Sequence, residues 1–382
     1  MSSIATKAPK IGHIPSLNGL RAIAIGIVVW AHAHFPGHLA GGLGVSLFFF
    51  LSGYLITTLL RAEYDRYEKI SFSDFYKRRA LRIFPPMYIV IAMVILLSLV
   101  GFLPNTMTAG GAASTALFLT NYWIITHGHE GVPAGLGIFW SLAVEEHFYL
   151  VFPLMYVAMR KWLPKRAHQV SLLLGLCFIV LAWRIFLWMN GASGPRLYYA
   201  TDTRMDALLW GAILAIGFNP VYGEARLPSR PWAGTAIVIA SAAAFYASSK
   251  IPGQFVIGFT IQSIAAFGIF VPLILAPKSR LGRLLNWKPI AWIGVISYSL
   301  YLFHRWLLEA AEFWAPDLGA LGAVCAIVCA VLLSWAMRAW VEKPLARRRK
   351  QLSRVGESSV TPQLSGVTSE SPAKPAEEPA AG

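Results

Sequence analysis

Arg21 and His32 stand eleven residues apart in one apolar stretch, and together they could perform acid–base chemistry on an anionic substrate. At about 100° per residue this spacing leaves only about 20° between them on a helix, with a rise of roughly 16 Å. A guanidinium is always protonated and forks onto phosphate. An imidazole titrates near neutral pH and can take a proton from a hydroxyl. One cavity on that side of the helix would present a fixed cation near its mouth and a base much deeper, an arrangement that suits a long anionic donor. The competing structural reading has Arg21 snorkelling to the interface and His32 bonding a backbone carbonyl. His34, two residues on, points to the other side.

Four further groups carry chemistry-bearing residues. In Gly44-Val-Ser-Leu-Phe-Phe-Phe-Leu-Ser-Gly-Tyr-Leu55, Ser52 and Gly53 permit close backbone approach, to another helix or to a ligand. Arg79 and Arg82 share a helical face by their i, i+3 spacing, either as basic residues at a span start or as a phosphate clamp. Glu145 and Glu146 are adjacent, so they diverge by about 100° and at most one shares a given cavity. Such a carboxylate could orient His32 or stabilise its protonated form, or pair with an arginine of another helix. Arg204, Asp206 and His304, the last beside Arg305, complete the set, with their partners left open.

The elements that position these residues must be membrane helices. Of 382 residues, 56% are hydrophobic and 13% charged, against about 25% charged in an ordinary soluble domain, so the chain cannot cover a water-facing surface. Spans of about 20 apolar residues are expected near 19–35, 44–60, 87–103, 139–159, 169–189, 203–217, 232–249, 255–276, 290–312 and 319–340. With an inward N-terminus, 27 of the 33 Lys and Arg fall on inside segments. Only Arg196 and Lys250 lie outside, and Arg21, Arg184, Arg204 and Arg305 lie within spans. This is a strong positive-inside bias, and it places both termini in the cytoplasm. The apolar stretch 109–126 is read as re-entrant or surface-lying, because an extra span there would put Arg160, Lys161, Lys165 and Arg166 outside.

The expected architecture is an all-α, polytopic transmembrane bundle of about ten spans. A cytoplasmic segment, 1–18, precedes the membrane domain, 19–345, and a disordered tail, 346–382, follows. The tail ends in SESPAKPAEEPAAG, too poor in large apolar residues to order itself, and Arg347 to Lys350 before it suit anionic headgroups. Ala31-His32-Ala33 resembles a signal-peptidase site, but Arg21 inside the apolar run argues against cleavage. Cys177, Cys325 and Cys329 lie in apolar runs and are read as packing residues, with no metal-ligand spacing. The net charge of +15 follows topology and forms no aromatic-interleaved patch, which excludes nucleic acid as a partner. No internal repeat is evident.

These segments resemble the acyltransferase family 3 membrane proteins, which include O-acetyltransferases of bacterial surface polysaccharides. The resemblance rests on Leu17-Asn-Gly-Leu-Arg21 with His32, Phe48-Phe-Phe-Leu-Ser-Gly-Tyr-Leu55, Arg79-Ala-Leu-Arg82 with Pro85, and Trp140-Ser-Leu-Ala-Val-Glu-Glu-His-Phe-Tyr-Leu150. Weaker matches are Tyr199 to Arg204, Ser299 to His304 and Glu342-Lys-Pro344. It runs from about residue 15 to 345.

The resemblance implies a bacterial inner-membrane enzyme that draws an acyl group from cytoplasmic acyl-CoA, acetyl-CoA by default. The acyl group passes to a hydroxyl of a carbohydrate or glycolipid acceptor at or beyond the bilayer. It implies His32 as general base with Glu145 and Glu146 in the catalytic group. Arg21, Arg79, Arg82, Ser52 and Tyr54 would bind the donor, and Arg204, Asp206 and His304 the acceptor. His147 stands where the family commonly has Gln, Phe139 where a His is frequent, and Arg305-Trp306 alter the pattern after His304. These departures lie toward the acceptor side. No SGNH-type domain is expected after the last span. Two alternatives stay open: a transporter or flippase using buried charges, and an acyltransferase acting on a small molecule.

Overall fold

A computed structural model describes Ile14 and residues 16–352, except His38 and Pro231. Its first seven helices are α1 (Leu17–His32), α2 (Gly41–Tyr67), α3 (Phe72–Leu99), α4 (Ala109–Ala116), α5 (Thr120–His127), α6 (Trp140–Trp162) and α7 (Arg166–Met189). Two short helices, α8 (Gly194–Tyr199) and α9 (Thr201–Arg204), lead into α10 (Asp206–Gly217), α11 (Ala233–Ala247) and α12 (Phe259–Leu275). The chain closes with α13 (Arg280–Leu285), α14 (Lys288–Trp314), α15 (Gly319–Met337) and α16 (Lys343–Gln351). Among the described residues the only strand-like feature is an isolated bridge between Met107 and Gly131.

A helix stands at each of the ten expected spans. Among the described residues six helical segments are long and apolar enough to cross a bilayer: Gly41–Tyr67, Phe72–Leu99, Leu136–Trp162, Arg166–Met189, Gln254–Leu275 and Pro316–Arg349. Leu17–His32, Asp206–Tyr222 and Ala233–Ala247 are apolar but shorter. The protein is thus an all-α, multi-pass membrane protein. The third span differs from the expected 87–103: α3 starts at Phe72, capped by Ser71 accepting from the Asp74 amide, and runs through Pro85 and Pro86 to Leu99. At 1.5 Å per residue it is about 42 Å long, so Arg79 and Arg82 ride on its first turns. The stretch 109–126 forms two eight-residue helices, α4 and α5, each far too short to cross a bilayer. The tail also differs, because residues 346–351 continue α16 as helix. The segments 1–13 and 353–382 lie outside the described residues.

Among the described residues, seven of the nine exposed tryptophans stand at helix ends or in the adjoining turns. Trp162, Trp232, Trp287 and Trp340 lie at the end where the basic residues gather, and Trp30, Trp188 and Trp314 at the opposite end, with Trp183 and Trp335 farther inside α7 and α15. Indole rings favour the headgroup level. Along α14, Trp287 and Trp314 are separated by about 40 Å of helix, the thickness of a bilayer with its interfaces, about 40–45 Å.

Small residues set the helix contacts that frame the site. A Cβ at Gly53 would overlap the Leu208 carbonyl, and one at Gly211 the Phe50 carbonyl, so α2 and α10 touch backbone to backbone. Gly44 presses likewise on the Ala24 carbonyl of α1, and Gly294 of α14 on the Asn18 carbonyl. In lipid there is little hydrophobic drive between helices, so such close approach supplies dispersion energy instead. Gly53 thus resolves toward helix packing, which turns its neighbour Ser52 away from α10.

Candidate active site

Ser52 faces a cavity of about 180 Å³ lined by α1, α2, α3, α6, α14, the turn Arg338–Glu342 and α16. At the basic end its wall holds Arg79, Arg82, Arg338 and Arg349; farther in come Arg21, Ser52, Glu145 and Tyr149. Arg21 and Arg82 make no ion pair among the described residues. A cation at membrane depth without a counter-ion is costly, and cations converging on a cavity supply the field for an anionic ligand. Arg79 lies over the Tyr149 ring, 4.7 Å from its centroid, which holds that side chain against the wall.

Glu145 is fastened within the cavity. Ser52 Oγ donates to its Oε1 at 3.0 Å, and Tyr149 Oη to its Oε2 at 3.1 Å. Glu146, one position on, is not part of the cavity wall, as the divergence of adjacent helical residues requires. The expectation that a carboxylate here pairs with His32 does not fit this geometry, because both Glu145 oxygens are engaged elsewhere.

The partner of His32 is His304. His32 Nδ1 and His304 Nε2 lie 3.0 Å apart, and the rings stack at 5.2 Å between centroids. The tautomers follow from what surrounds them. His304 Nδ1 lies 2.8 Å from the Tyr301 carbonyl and 3.1 Å from that of Leu300. A carbonyl only accepts, so Nδ1 carries the proton, and neutral His304 presents the lone pair of Nε2. His32 Nδ1–H donates to it, which leaves the lone pair on His32 Nε2. This is a base oriented from behind, with an imidazole where a carboxylate more often stands. His304 is fully buried, while His32 is half-buried.

The histidine pair is not in the cavity wall, contrary to the expectation that one cavity holds both Arg21 and His32. At the deep end Tyr301 Oη donates to the Ile138 carbonyl at 2.6 Å and lies 2.7 Å from Ser141 Oγ. His304 follows Tyr301 by three residues, about 4.5 Å of helix rise. The Tyr301 ring lies in the cavity wall and 5.6 Å from the His304 ring. It therefore stands between the arginine-lined cavity and the histidine pair, and the same residue's carbonyl sets the His304 tautomer.

Arg305, one of the departures from the family pattern, donates from Nη1 to the His32 carbonyl at 3.3 Å and pairs with Glu309 at 3.1 Å. It fixes the end of α1 against α14. In the preceding loop, burial and the Arg305 charge lower the pKa of His129 below the usual imidazole value. His147 contacts Thr201 Oγ1 at 2.8 Å and stacks on Tyr122, and Phe139 is buried.

Three expected ligand contacts fall elsewhere. Tyr54 is fully buried and donates to Asn219 Oδ1 at 3.0 Å; it faces α10, away from the cavity. Asp206 is locked to Arg184, at 2.7 Å from Nη2 and 3.2 Å from Nη1, with both side chains buried. Arg204 sits over the Phe259 ring at 3.6 Å to the centroid and donates to Ser46 Oγ at 3.2 Å. All three are engaged by other helices and loops of the protein itself. Conversely, Ser141, Tyr149, Tyr298, Tyr301, Arg338 and Glu342 line the cavity without an expected site role, and Arg349, expected at lipid headgroups, lines it too. The motifs around Glu145, His304 and Glu342 were the available signals for most of them.

The family described as "Acyltransferase domain" matches residues 14–339, and the chain belongs to that family. It is 33% identical over 305 residues to the peptidoglycan O-acetyltransferase OatA of Listeria monocytogenes, covering 76% of this chain and 49% of that protein. It is 34% identical over 307 residues to the putative peptidoglycan O-acetyltransferase YrhL of Bacillus subtilis, 76% of this chain and 48% of that one. The O-acetyltransferase OatA of Staphylococcus aureus is 33% identical over 306 residues, 76% and 50% respectively. The chain spans about half the length of these curated relatives. No solved structure matches.

Proposed function

We propose that the protein is a transmembrane O-acyltransferase. It moves an acyl group, by default acetyl, from cytoplasmic acyl-CoA to a hydroxyl of a carbohydrate or glycolipid acceptor, and the bacterial inner membrane is its site. The names of the relatives bring peptidoglycan to this chain as the first acceptor to test. The observation that carries the reading is the pairing of an arginine-lined cavity with the oriented His32–His304 pair one turn beyond it.

In this mechanism Arg21, Arg79 and Arg82 hold the donor's phosphates while its thioester end extends toward Ser141 and Tyr301. The acceptor hydroxyl gives its proton to His32 Nε2 as its oxygen attacks the thioester carbonyl. Collapse of the tetrahedral intermediate breaks the C–S bond, and His32 returns the proton to the leaving thiolate. The products are the acyl ester and free CoA. His304, as acceptor to His32 Nδ1–H, keeps the ring in the productive tautomer and stabilises the imidazolium. Tyr301 has to leave its bonds to Ile138 and Ser141 for a thioester to reach His32. Glu145, held by Ser52 and Tyr149, shapes the cavity wall and contributes no proton in this scheme.

The test is acetyl transfer from labelled acetyl-CoA to a glycan acceptor by purified protein in lipid discs. His32→Ala is expected to abolish transfer while the protein still inserts and still binds CoA. Full activity in that variant removes His32 as the base.

A further inference from the structure

α1 breaks off at the residue that acts as base in the reading above. A helix leaves its last four carbonyls without intrahelical partners. Here those of Val29, Trp30 and Ala31 accept the amides of Ala33, Phe35 and His34. The fourth belongs to His32 itself, and Arg305 Nη1 meets it at 3.3 Å. A cation is favourable at that end of a helix. His34 has a φ of 52°, so the chain turns sharply just beyond His32, and no further helical turn holds the base's main chain.

Two restraints on His32 come from α14. The neighbours His304 and Arg305 diverge by about 100° on that helix, and they grip different parts of the same residue. His304 holds the ring through Nδ1, and Arg305 holds the main-chain carbonyl. Arg305 is in turn aimed by Glu309, one turn on, which lies 3.1 Å from its Nε, while Glu312 is 3.9 Å from its Nη1. The Glu309 carboxylate also takes a hydrogen bond from the Gly135 amide. Gly135 has a φ of 68°, and a Cβ there would overlap the Trp306 backbone, so this loop lies directly against α14 beside the ion pair.

We propose that Arg305, held by Glu309, is a positioning residue for acyl transfer: it fixes the main chain of His32 so that the Nε2 lone pair meets the acceptor hydroxyl, and Glu309 offsets its charge. The inference rests on the reading of His32 as the base, and it gives a role to a residue that departs from the family pattern. Proton transfer depends on alignment, and a misplacement of about 1 Å can cost roughly a hundredfold in rate. An unpaired cation beside the ring would oppose the positive charge that His32 takes up as the hydroxyl attacks. Glu309 supplies the opposite charge and keeps the guanidinium pointed at the carbonyl.

The experiment measures kcat and KM for acetyl transfer from labelled acetyl-CoA to a glycan acceptor, together with CoA affinity, for the full chain in lipid discs. Arg305→Ala is expected to lower kcat about tenfold or more, with KM for acetyl-CoA and CoA affinity unchanged. Arg305→Lys, which keeps the charge but reaches one partner at a time, should recover part of the rate. Glu309→Gln keeps an acceptor for Nε and removes the charge, so kcat should fall several-fold with no loss of folded protein. In the Arg305→Ala background the same change should cost nothing further, as for two residues acting through one contact. Wild-type kcat in both single variants, with His32→Ala inactive, overturns the proposal and leaves the base reading intact. A fall in kcat that tracks loss of folded protein and of CoA affinity, with no recovery in Arg305→Lys, overturns it in favour of packing. Full activity in His32→Ala overturns the base reading itself.

Discussion

His32 Nδ1 lies 3.0 Å from His304 Nε2, and the two residues are 272 positions apart in the chain. Because the Tyr301 and Leu300 carbonyls bind the other nitrogen of His304, the contact has one direction. His304→Ala is expected to lower the transfer rate by roughly a hundredfold, within the range of general-base contributions. His304→Gln, which can still accept from Nδ1–H, should recover part of the rate. Equal activity in the alanine variant and wild type, with the acceptor at saturation, would show that the pair is packing alone.

Arg21 and Arg82 face the cavity without ion-pair partners among the described residues. Replacing either with alanine removes a charged contact worth about 1.5–3 kcal/mol to an anionic ligand. The expected result is weaker acetyl-CoA binding by roughly ten- to a hundredfold, with the folded protein no less stable. Titration of the purified variants with CoA reads this directly, and unaltered affinity in both would show that the cavity is not the donor site.

Tyr301 closes the deep end through Ile138 and Ser141. Tyr301→Phe keeps the ring and drops both hydrogen bonds, at about 1–3 kcal/mol of stability. With the partition loosened, acetyl-CoA hydrolysis in the absence of acceptor should rise above the wild-type level. If hydrolysis and transfer are both unchanged, the hydroxyl serves the fold and not the partition.

Asp206 and Arg184 form a buried pair. Asp206→Ala leaves a buried guanidinium without its counter-ion, which costs about 3–5 kcal/mol, and should reduce the yield of folded protein. Asp206→Asn, which keeps one acceptor oxygen for Arg184, should fold better than the alanine variant and show an unchanged KM for acceptor. A large KM increase in a well-folded Asp206→Asn protein would return this residue to the acceptor site.

Gly53 offers a purely steric test. A Cβ there meets the Leu208 carbonyl, so Gly53→Val has to push α10 off α2 and is expected to unfold at lower temperature. Ser52→Ala on the cavity side should leave stability nearly unchanged. Matching melting curves for Gly53→Val and wild type would contradict the close packing.

What could be read without coordinates was the class of protein and the inventory of chemistry-bearing residues. Hydropathy and charge add up locally along a chain, so the helical segments and the basic end follow from composition alone. The boundary errors share one cause: α3 begins in its basic turns and α16 continues past the last apolar residue, because helices are bounded by hydrogen bonds and caps, whereas hydropathy marks only the lipid-facing part.

The sequence by itself determined that Arg21 and His32 ride on one helix, that Glu145 and Glu146 cannot share a site, and that the chain belongs in a bilayer. Only the tertiary structure decided that His32 meets His304, that Glu145 goes to Ser52 and Tyr149, and that Tyr301 stands between the cavity and the histidines. It also took Asp206 and Tyr54 out of the site and brought Arg349 in. The reason is geometric. Spacing sets directions within one helix, but which faces meet depends on how neighbouring helices rotate and approach, and here the glycine contacts of α1, α2, α10 and α14 control that approach.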